Sequence, residues 1–587
     1  MSNFSRLVWT IFGAVSIAFH LGLIFYGLVP NLISRPIHMM LAVPWVLIFA
    51  STTRGQRISG NVLTILAWSG CAYVVINETA LGDQYGHLDG ELQYLVAISL
   101  LLIVLEMARR SISWPLPFVA LIALLYGLFG HLLPGEFGHP GMPLGSFFGT
   151  LTITEGGLWG KLTGVSVGIV AVFVIFGAVL NAGEAGQGFM NLAKAAAGRL
   201  KGGAAKVSVL SSALFGSISG SASANVASTG AITLPAMRKL GYPKALAGAV
   251  EAVASSGGQI MPPLMGAGAF VMVELTGIPY DEILIAALLP AILYFTTVWV
   301  GINAFARRFN LRGIGLDEQP STRIVLITAL FFAVPFFVLL ERMFFGNFTP
   351  QYAASIAILS AFLLLFVDAR FNFSAQRSLQ RLETVCQTSG RQIAVIASII
   401  LCASIVIGVL GMTGLGIKIT SLILSAAGDS LWIALILTAF ACLLLGMEVP
   451  TTAAYVICIS VAGPALASLG LEPLQAHLFV FWFALLSTIT PPVCGAVFIA
   501  AGMVEENWLK VSVCAMALGV GLYIIPLGMV ANPSLIELGT SPILAFTTFI
   551  KIGLGLAAIS FGLIAPLAFL SRAALVIFGL LVVFVTY

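Results

Sequence analysis

The chain has 587 residues, 59% of them hydrophobic and only 9% charged, with a mean hydropathy of +1.06. A soluble protein carries roughly 25% charged residues, so most of this chain must face lipid or other apolar helices. The net charge of +4 says nothing about nucleic acid, which is not an expected partner, because the basic residues sit in short clusters between spans; the seven cysteines are scattered (Cys402, Cys442 and Cys458 within apolar runs) and argue against a disulfide framework.

Apolar runs recur along the whole chain, each of about 20 residues and so long enough to cross a bilayer. Alternating strand-like segments are absent, so a helical bundle is favoured over a barrel. The expected fold is an all-α polytopic membrane protein with about 15 transmembrane helices plus two re-entrant hairpins.

Residues 1–150 form a first block with spans near 7–29, 36–51, 60–80, 91–108 and 115–133. The first of these reads as a retained span rather than a removed signal. Arg54 with Arg57, and Arg109 with Arg110, mark cytoplasmic ends; the loop of Glu78, Asp83, Asp89 and Glu91 has no basic residue and is external. Gly- and Pro-rich residues 134–150 close the block.

A first half follows over 151–320. Between Lys206 and Arg238 lie 31 mostly apolar and small residues, too many for one span and too few for two. Basic residues flank both ends, so 207–237 is a re-entrant hairpin entered from the cytoplasm. Residues 321–390 hold spans at 323–341 and 350–368, then a polar cytoplasmic linker, Asp368–Arg391, with Arg370, Arg377, Arg381 and Arg391.

The second half runs over 391–530, and C-terminal spans occupy 531–587. No Lys or Arg occurs from Ile419 to Leu509; Asp429 and Glu472 flank 431–469, a second hairpin entered from outside. Opposite orientation of two similar halves marks an inverted repeat. Lys418 and Lys551 fit this topology poorly.

The octapeptide pattern I-x-P-P-x-x-G-A occurs twice, at Ile260–Ala267 and Ile489–Ala496, 229 residues apart. A double proline removes two backbone donors and interrupts a helix. Two broken helices in matching halves point to a transporter's binding site. The first hairpin tip, Gly216–Gly230, holds six hydroxyls, one amide and three glycines in 15 residues. The second reads Gly446-Met-Glu-Val-Pro450-Thr-Thr-Ala-Ala-Tyr455. Such polar stretches at membrane depth must be buried in protein or line a wet cavity; close helix packing is the simpler use of isolated Gly and Ser. Unwound carbonyls and hydroxyls suit a small cation, and half-helix N-termini an anion. Acids in apolar surroundings are Glu106, Glu184, Glu251, Glu274 and Glu448. Of these, Glu448 and Glu251 are possible proton carriers, with a structural tie as the alternative for each. Gly160-Lys161-Leu162-Thr163 is not a Walker A motif, which argues against an ATPase within the chain; no enzymatic motif replaces it, and no cofactor is expected.

The run Gly216–Pro263, with Gly446–Tyr455 and Thr490-Pro-Pro, resembles the large, DctM-like membrane subunit of TRAP (tripartite ATP-independent periplasmic) transporters. It is most similar to the TAXI-type 4TM/12TM fusion permeases, with residues 1–150 in the place of the fused small subunit. The resemblance implies a permease of the bacterial or archaeal cytoplasmic (inner) membrane. Its partners would be a TAXI-type extracytoplasmic solute-binding protein and a small organic anion, and an elevator movement driven by Na+ or H+ would carry the anion inward. By position it implies cation ligands, sodium at the hairpin tips, from Ser219, Ser221, Ser223, Asn225, Gly257 and Gly258, and from Thr451, Thr452, Thr488 and Thr490. The same segments supply substrate candidates Ser217, Ser219, Asn225, Gln259, Pro262, Thr452, Tyr455 and Pro491. Glu448 stands where many relatives carry an apolar or small residue.

Alternatives are a stand-alone cation/dicarboxylate symporter of similar inverted-repeat design, a channel, or a membrane-embedded enzyme; six dispersed histidines argue against the last. The two patterns differ at Gln259 and Met261 against Thr488 and Thr490, so the halves are expected to bind different things.

Overall fold

The computed structural model describes residues 3–315, 319–346, 348–428, 430–446, 450–492 and 494–585. Apart from one isolated bridge between Val367 and Phe373, the described chain is helix, turn and loop. Among the described residues twelve helices are long and apolar enough to cross a membrane, and seven apolar helices of 10–17 residues accompany them. The N-terminal block has the expected five spans: Phe4–Tyr26, Asn31–Phe49, Arg54–Ile76, Glu91–Ser111 and Pro115–Leu132. The Gly- and Pro-rich separator is shorter than its composition implies, because a helix begins within it at Leu144–Thr152.

Each half contains the same succession of elements. The first hairpin is Gly203–Ser219 and Ala222–Lys239, followed by Lys244–Gly257, a break at Met261–Met265 and a short helix Gly266–Thr276. The second is Leu431–Leu445 and Thr451–Ser468, followed by Pro473–Leu486, a break after Leu486 and Gly495–Val504. Both double prolines contain a cis bond. At the first tip Gly220 has φ +61°, a left-handed conformation that glycine adopts without a Cβ penalty. Ser221 then caps the second arm, its hydroxyl accepting the Ala224 N–H at 3.3 Å.

Backbone groups freed at the breaks find new partners, as burial in an apolar medium requires. Tyr280 donates its hydroxyl to the Pro263 carbonyl, and Ser512 donates to the Ile489 carbonyl at 2.9 Å.

One element departs from the sequence expectation. The stretch Asp368–Arg391, read as a polar linker, is helical from Ala375, and the helix continues unbroken to Thr413. Its 39 residues span about 58 Å at 1.5 Å per residue, far more than a bilayer core of roughly 30 Å. The boundary between linker and second half therefore falls inside a single helix. Its cytoplasmic end is anchored by Arg377 to Asp368 at 2.9 Å, Arg381 to Glu184 at 2.5 Å and Glu383 to Arg6 at 2.9 Å. Just before the helix, the Asn372 backbone N–H above all, with that of Arg370 and the Arg377 guanidinium, holds the Asp368 carboxyl below the usual carboxylate range. The helix packs along Asn3–Tyr26, Pro115–Phe129 and Ala171–Ala182, so the N-terminal block and this helix form one framework.

The two misfit lysines serve local ends. Lys418 donates to the Gly138 carbonyl at 2.6 Å, and Lys551 to Asn532 Oδ1 at 2.8 Å. Asp429 and Glu448 lie outside the described residues.

Candidate functional site

The two tips and two breaks meet. At the first tip the backbones almost touch: a Cβ on Gly216 would lie 2.4 Å from Gly258 Cα, and one on Gly220 2.9 Å from Gly266 Cα. At the second tip a Cβ on Gly446 would lie 2.9 Å from the Ser487 side chain. The halves join where the hydroxyls of Ser256 and Thr488 stand 2.8 Å apart.

Around this meeting point lies a cavity of about 950 Å³. Of the residues singled out from sequence, Ser219, Ser221 and Ser223 line it from the first tip, and Thr451 and Thr452 from the second. Gln259 and Thr488 line it from the breaks. Ser219 Oγ is buried without a hydrogen-bond partner among the described residues. Gln259 is only 5% exposed and likewise has no partner among the described residues. Phe173, Phe270, Phe49 and Phe498 supply apolar wall.

Other singled-out residues stand behind the cavity. Asn225 is fully buried and donates to the carbonyls of Ser212 at 2.9 Å and Ser255 at 3.4 Å, pinning the hairpin to the helix before the first break. Ser217 donates to the Leu214 carbonyl at 2.8 Å. Tyr455 is fully buried, its hydroxyl 2.7 Å from His477 Nδ1. Thr490 lies 2.7 Å from the Tyr523 hydroxyl. Gly257 and Gly258 are spent on packing, against Tyr294 and Gly216 respectively. Pro262 and Pro491 shape the breaks without lining the cavity.

Glu251 is fully buried between the hairpin arms and the following helix. Hydroxyls of Ser208 (2.8 Å), Ser212 (3.4 Å) and Ser255 (3.3 Å) reach its carboxyl, together with Thr229 and Thr233. Glu106 and Glu184 are paired with arginines, and Glu274 is exposed. Among the described residues no three His, Cys, Asp or Glu side chains gather as a metal cluster. A cation at the tips would take hydroxyl and carbonyl oxygens instead.

Sequence reasoning missed the fourth wall. Helix Ala375–Thr413 presents Gln387, Thr388, Arg391, Gln392, Val395 and Ile396 to the cavity. These positions recur every three or four residues and so share one face. With Ile399 they run about 18 Å along the helix, from the arginine-rich end towards mid-membrane. Phe49, Ile112 and Ser113 line the same end, beside Arg54, Arg57, Arg109 and Arg110. The positive-inside pattern makes that end cytoplasmic.

The family profile of the tripartite ATP-independent periplasmic transporter, DctM component, matches residues 99–544. The chain is 26% identical over 340 residues to the C4-dicarboxylate TRAP transporter large permease protein of Pseudomonas aeruginosa, covering 57% of this chain and 76% of that protein. It is 25% identical over 340 residues to the 2,3-diketo-L-gulonate TRAP transporter large permease protein of Escherichia coli, at 57% and 77% coverage. It is 24% identical over 371 residues to the isethionate TRAP transporter permease protein of Oleidesulfovibrio alaskensis, at 62% and 57% coverage.

Proposed function

This chain belongs to the DctM-component family of tripartite ATP-independent periplasmic transporters, and on that premise we propose that it imports a small organic acid handed over by a TAXI-type extracytoplasmic binding protein. It is a multi-pass inner-membrane transporter rather than an enzyme; the relatives are named as permeases. A sodium or proton gradient drives the import, with no cofactor beyond the coupling ion, and the hairpin body moves as an elevator against the framework. The observation that carries this reading is the convergence of two hairpin tips and two helix breaks on one cavity. The relatives' named substrates, a C4-dicarboxylate, a diketo sugar acid and isethionate, are all small organic anions.

In the proposed cycle, Ser219, Ser221, Ser223, Thr451, Thr452 and Thr488 present oxygens to the coupling cation and to the substrate. Carbonyls freed at the breaks add to them. Asn225, Tyr455 and Thr490 position the tips and breaks from behind. Glu251 is the carboxyl that a proton-driven cycle would use, since a buried intramembrane acid costs free energy that function most readily explains.

The test is uptake into proteoliposomes holding the purified chain. Uptake of an organic acid is expected only when its binding protein is supplied and a cation gradient is imposed. Equal uptake without any binding protein would overturn the tripartite reading in favour of a stand-alone symporter.

A further inference from the structure

Arg391 is the only charged side chain among the described residues that line the cavity. Other arginines on its helix are ion-paired: Arg377 with Asp368 and Arg381 with Glu184. Arg391 has no ion-pair or hydrogen-bond partner among the described residues, and neither do its cavity-lining neighbours Thr388 and Gln392. It sits two residues before Ile393, where the long apolar stretch of the helix begins. An arginine placed only to orient the protein would face lipid headgroups; this one faces the protein's own cavity.

We propose that Arg391 receives the anionic headgroup of the substrate at the cytoplasmic end of the cavity, and that the cavity selects organic acids with one anionic group and an uncharged body. The proposal rests on the transport reading above and adds the substrate's charge pattern to it. A guanidinium presents a planar fork of donors that matches a carboxylate in two parallel hydrogen bonds. Thr388, about one turn before Arg391, and the adjacent Gln392 also line the cavity and offer uncommitted groups to the rest of the molecule. Gln259, 5% exposed and without a hydrogen-bond partner among the described residues, offers an amide from the first break. The four phenylalanines accept an apolar or weakly polar body. A second carboxylate would find no second cationic side chain among the described lining residues, only hydroxyls and amides, so no second charge-assisted pair would hold it.

Arg391 belongs to the framework helix, whereas the tips belong to the body that would move. It therefore meets the substrate at the inward station only.

The test uses full-length protein in nanodiscs and follows thermal stabilisation by lactate, pyruvate, succinate, 2-oxoglutarate and the uncharged lactamide. The wild type is expected to be stabilised saturably by a monocarboxylate, more tightly than by either dicarboxylate, and not by lactamide. Arg391→Gln, with an unchanged melting temperature in the absence of acids, should bind that monocarboxylate about tenfold or more weakly, as loss of a charge-assisted pair predicts. Arg391→Lys should fall between the two, because the charge remains and the fork is lost. Wild-type affinity in Arg391→Gln, or dicarboxylates binding more tightly than monocarboxylates, would overturn this assignment and leave the transport reading standing. A wild type stabilised by none of the acids would overturn both.

Discussion

Glu251 shows how one buried carboxyl can serve two purposes. Five hydroxyls from three helices surround it, and it has no exposure. An interhelical hydrogen bond within a membrane contributes about 0.6 kcal/mol on average, and stranding a buried polar group costs about 1–3 kcal/mol. Glu251→Ala should therefore lower the melting temperature and the uptake rate together. Glu251→Gln keeps the shape and most partners but cannot exchange a proton. If the coupling ion is a proton bound here, this variant should fold normally, retain substrate counterflow and lose the pH dependence of uptake. An unchanged pH profile would reduce Glu251 to a tie between the hairpin and its neighbour. Asn225 teaches a related point, because its amide holds two carbonyls together and leaves the cavity to the serines around it. Asn225→Ala is accordingly expected to abolish uptake through loss of tip geometry, measurable as lost transport with normal membrane insertion.

At the scale of elements, the first tip depends on glycine where two backbones meet. Gly216 and Gly258 leave no room for a methyl group on either side. Gly258→Ala must push the hairpin from the break, and uptake should fall at least about tenfold, the loss expected when positioning shifts by about 1 Å. Gly186→Ala, where nothing lies within 4 Å of the added carbon, should transport normally; equal activity of the two variants would show that the close approach is dispensable. The hairpins and breaks were legible in the sequence because they rest on counting and charge. Thirty-one residues between Lys206 and Arg238 fit only a hairpin, and a double proline interrupts a helix in any context. The division of labour within the tips was not legible. Serines and threonines that line the cavity and those that brace it have the same chemistry, and only packing separates Ser219 from Ser217. Arg391 escaped for a different reason. Between Asp368 and Arg391 the composition reads as a loop, and the face shared by Thr388, Arg391 and Gln392 exists only once the helix is wound through them.

In the proposed cycle the whole molecule divides into a framework and a moving body, with the cavity between them. The framework includes the long helix Ala375–Thr413, held at its cytoplasmic end to the first span by Arg6 and Glu383. The ion pairs at that end are partly exposed, and such pairs are worth about 0–1 kcal/mol each. Their use is therefore to fix where the helix stands, while apolar packing supplies most of the stability. The cavity reaches the arginine-rich, cytoplasmic side, so this arrangement is the inward station of the proposed cycle. An elevator must also possess an outward station in which the same tip residues meet the other side. Thr452, on the second tip, can report both. Five of the seven native cysteines are buried, so Thr452→Cys can be read once Cys386 and Cys514 are replaced by serine. Without substrate, a membrane-impermeant thiol reagent should label this position from the cytoplasmic side. With binding protein, organic acid and cation gradient supplied, labelling from the outside should appear and the cytoplasmic rate should fall. Labelling from the cytoplasmic side alone, under conditions where uptake is measured in the same vesicles, would exclude movement of the tip across the membrane. The substrate would then have to pass a fixed site gated at either end.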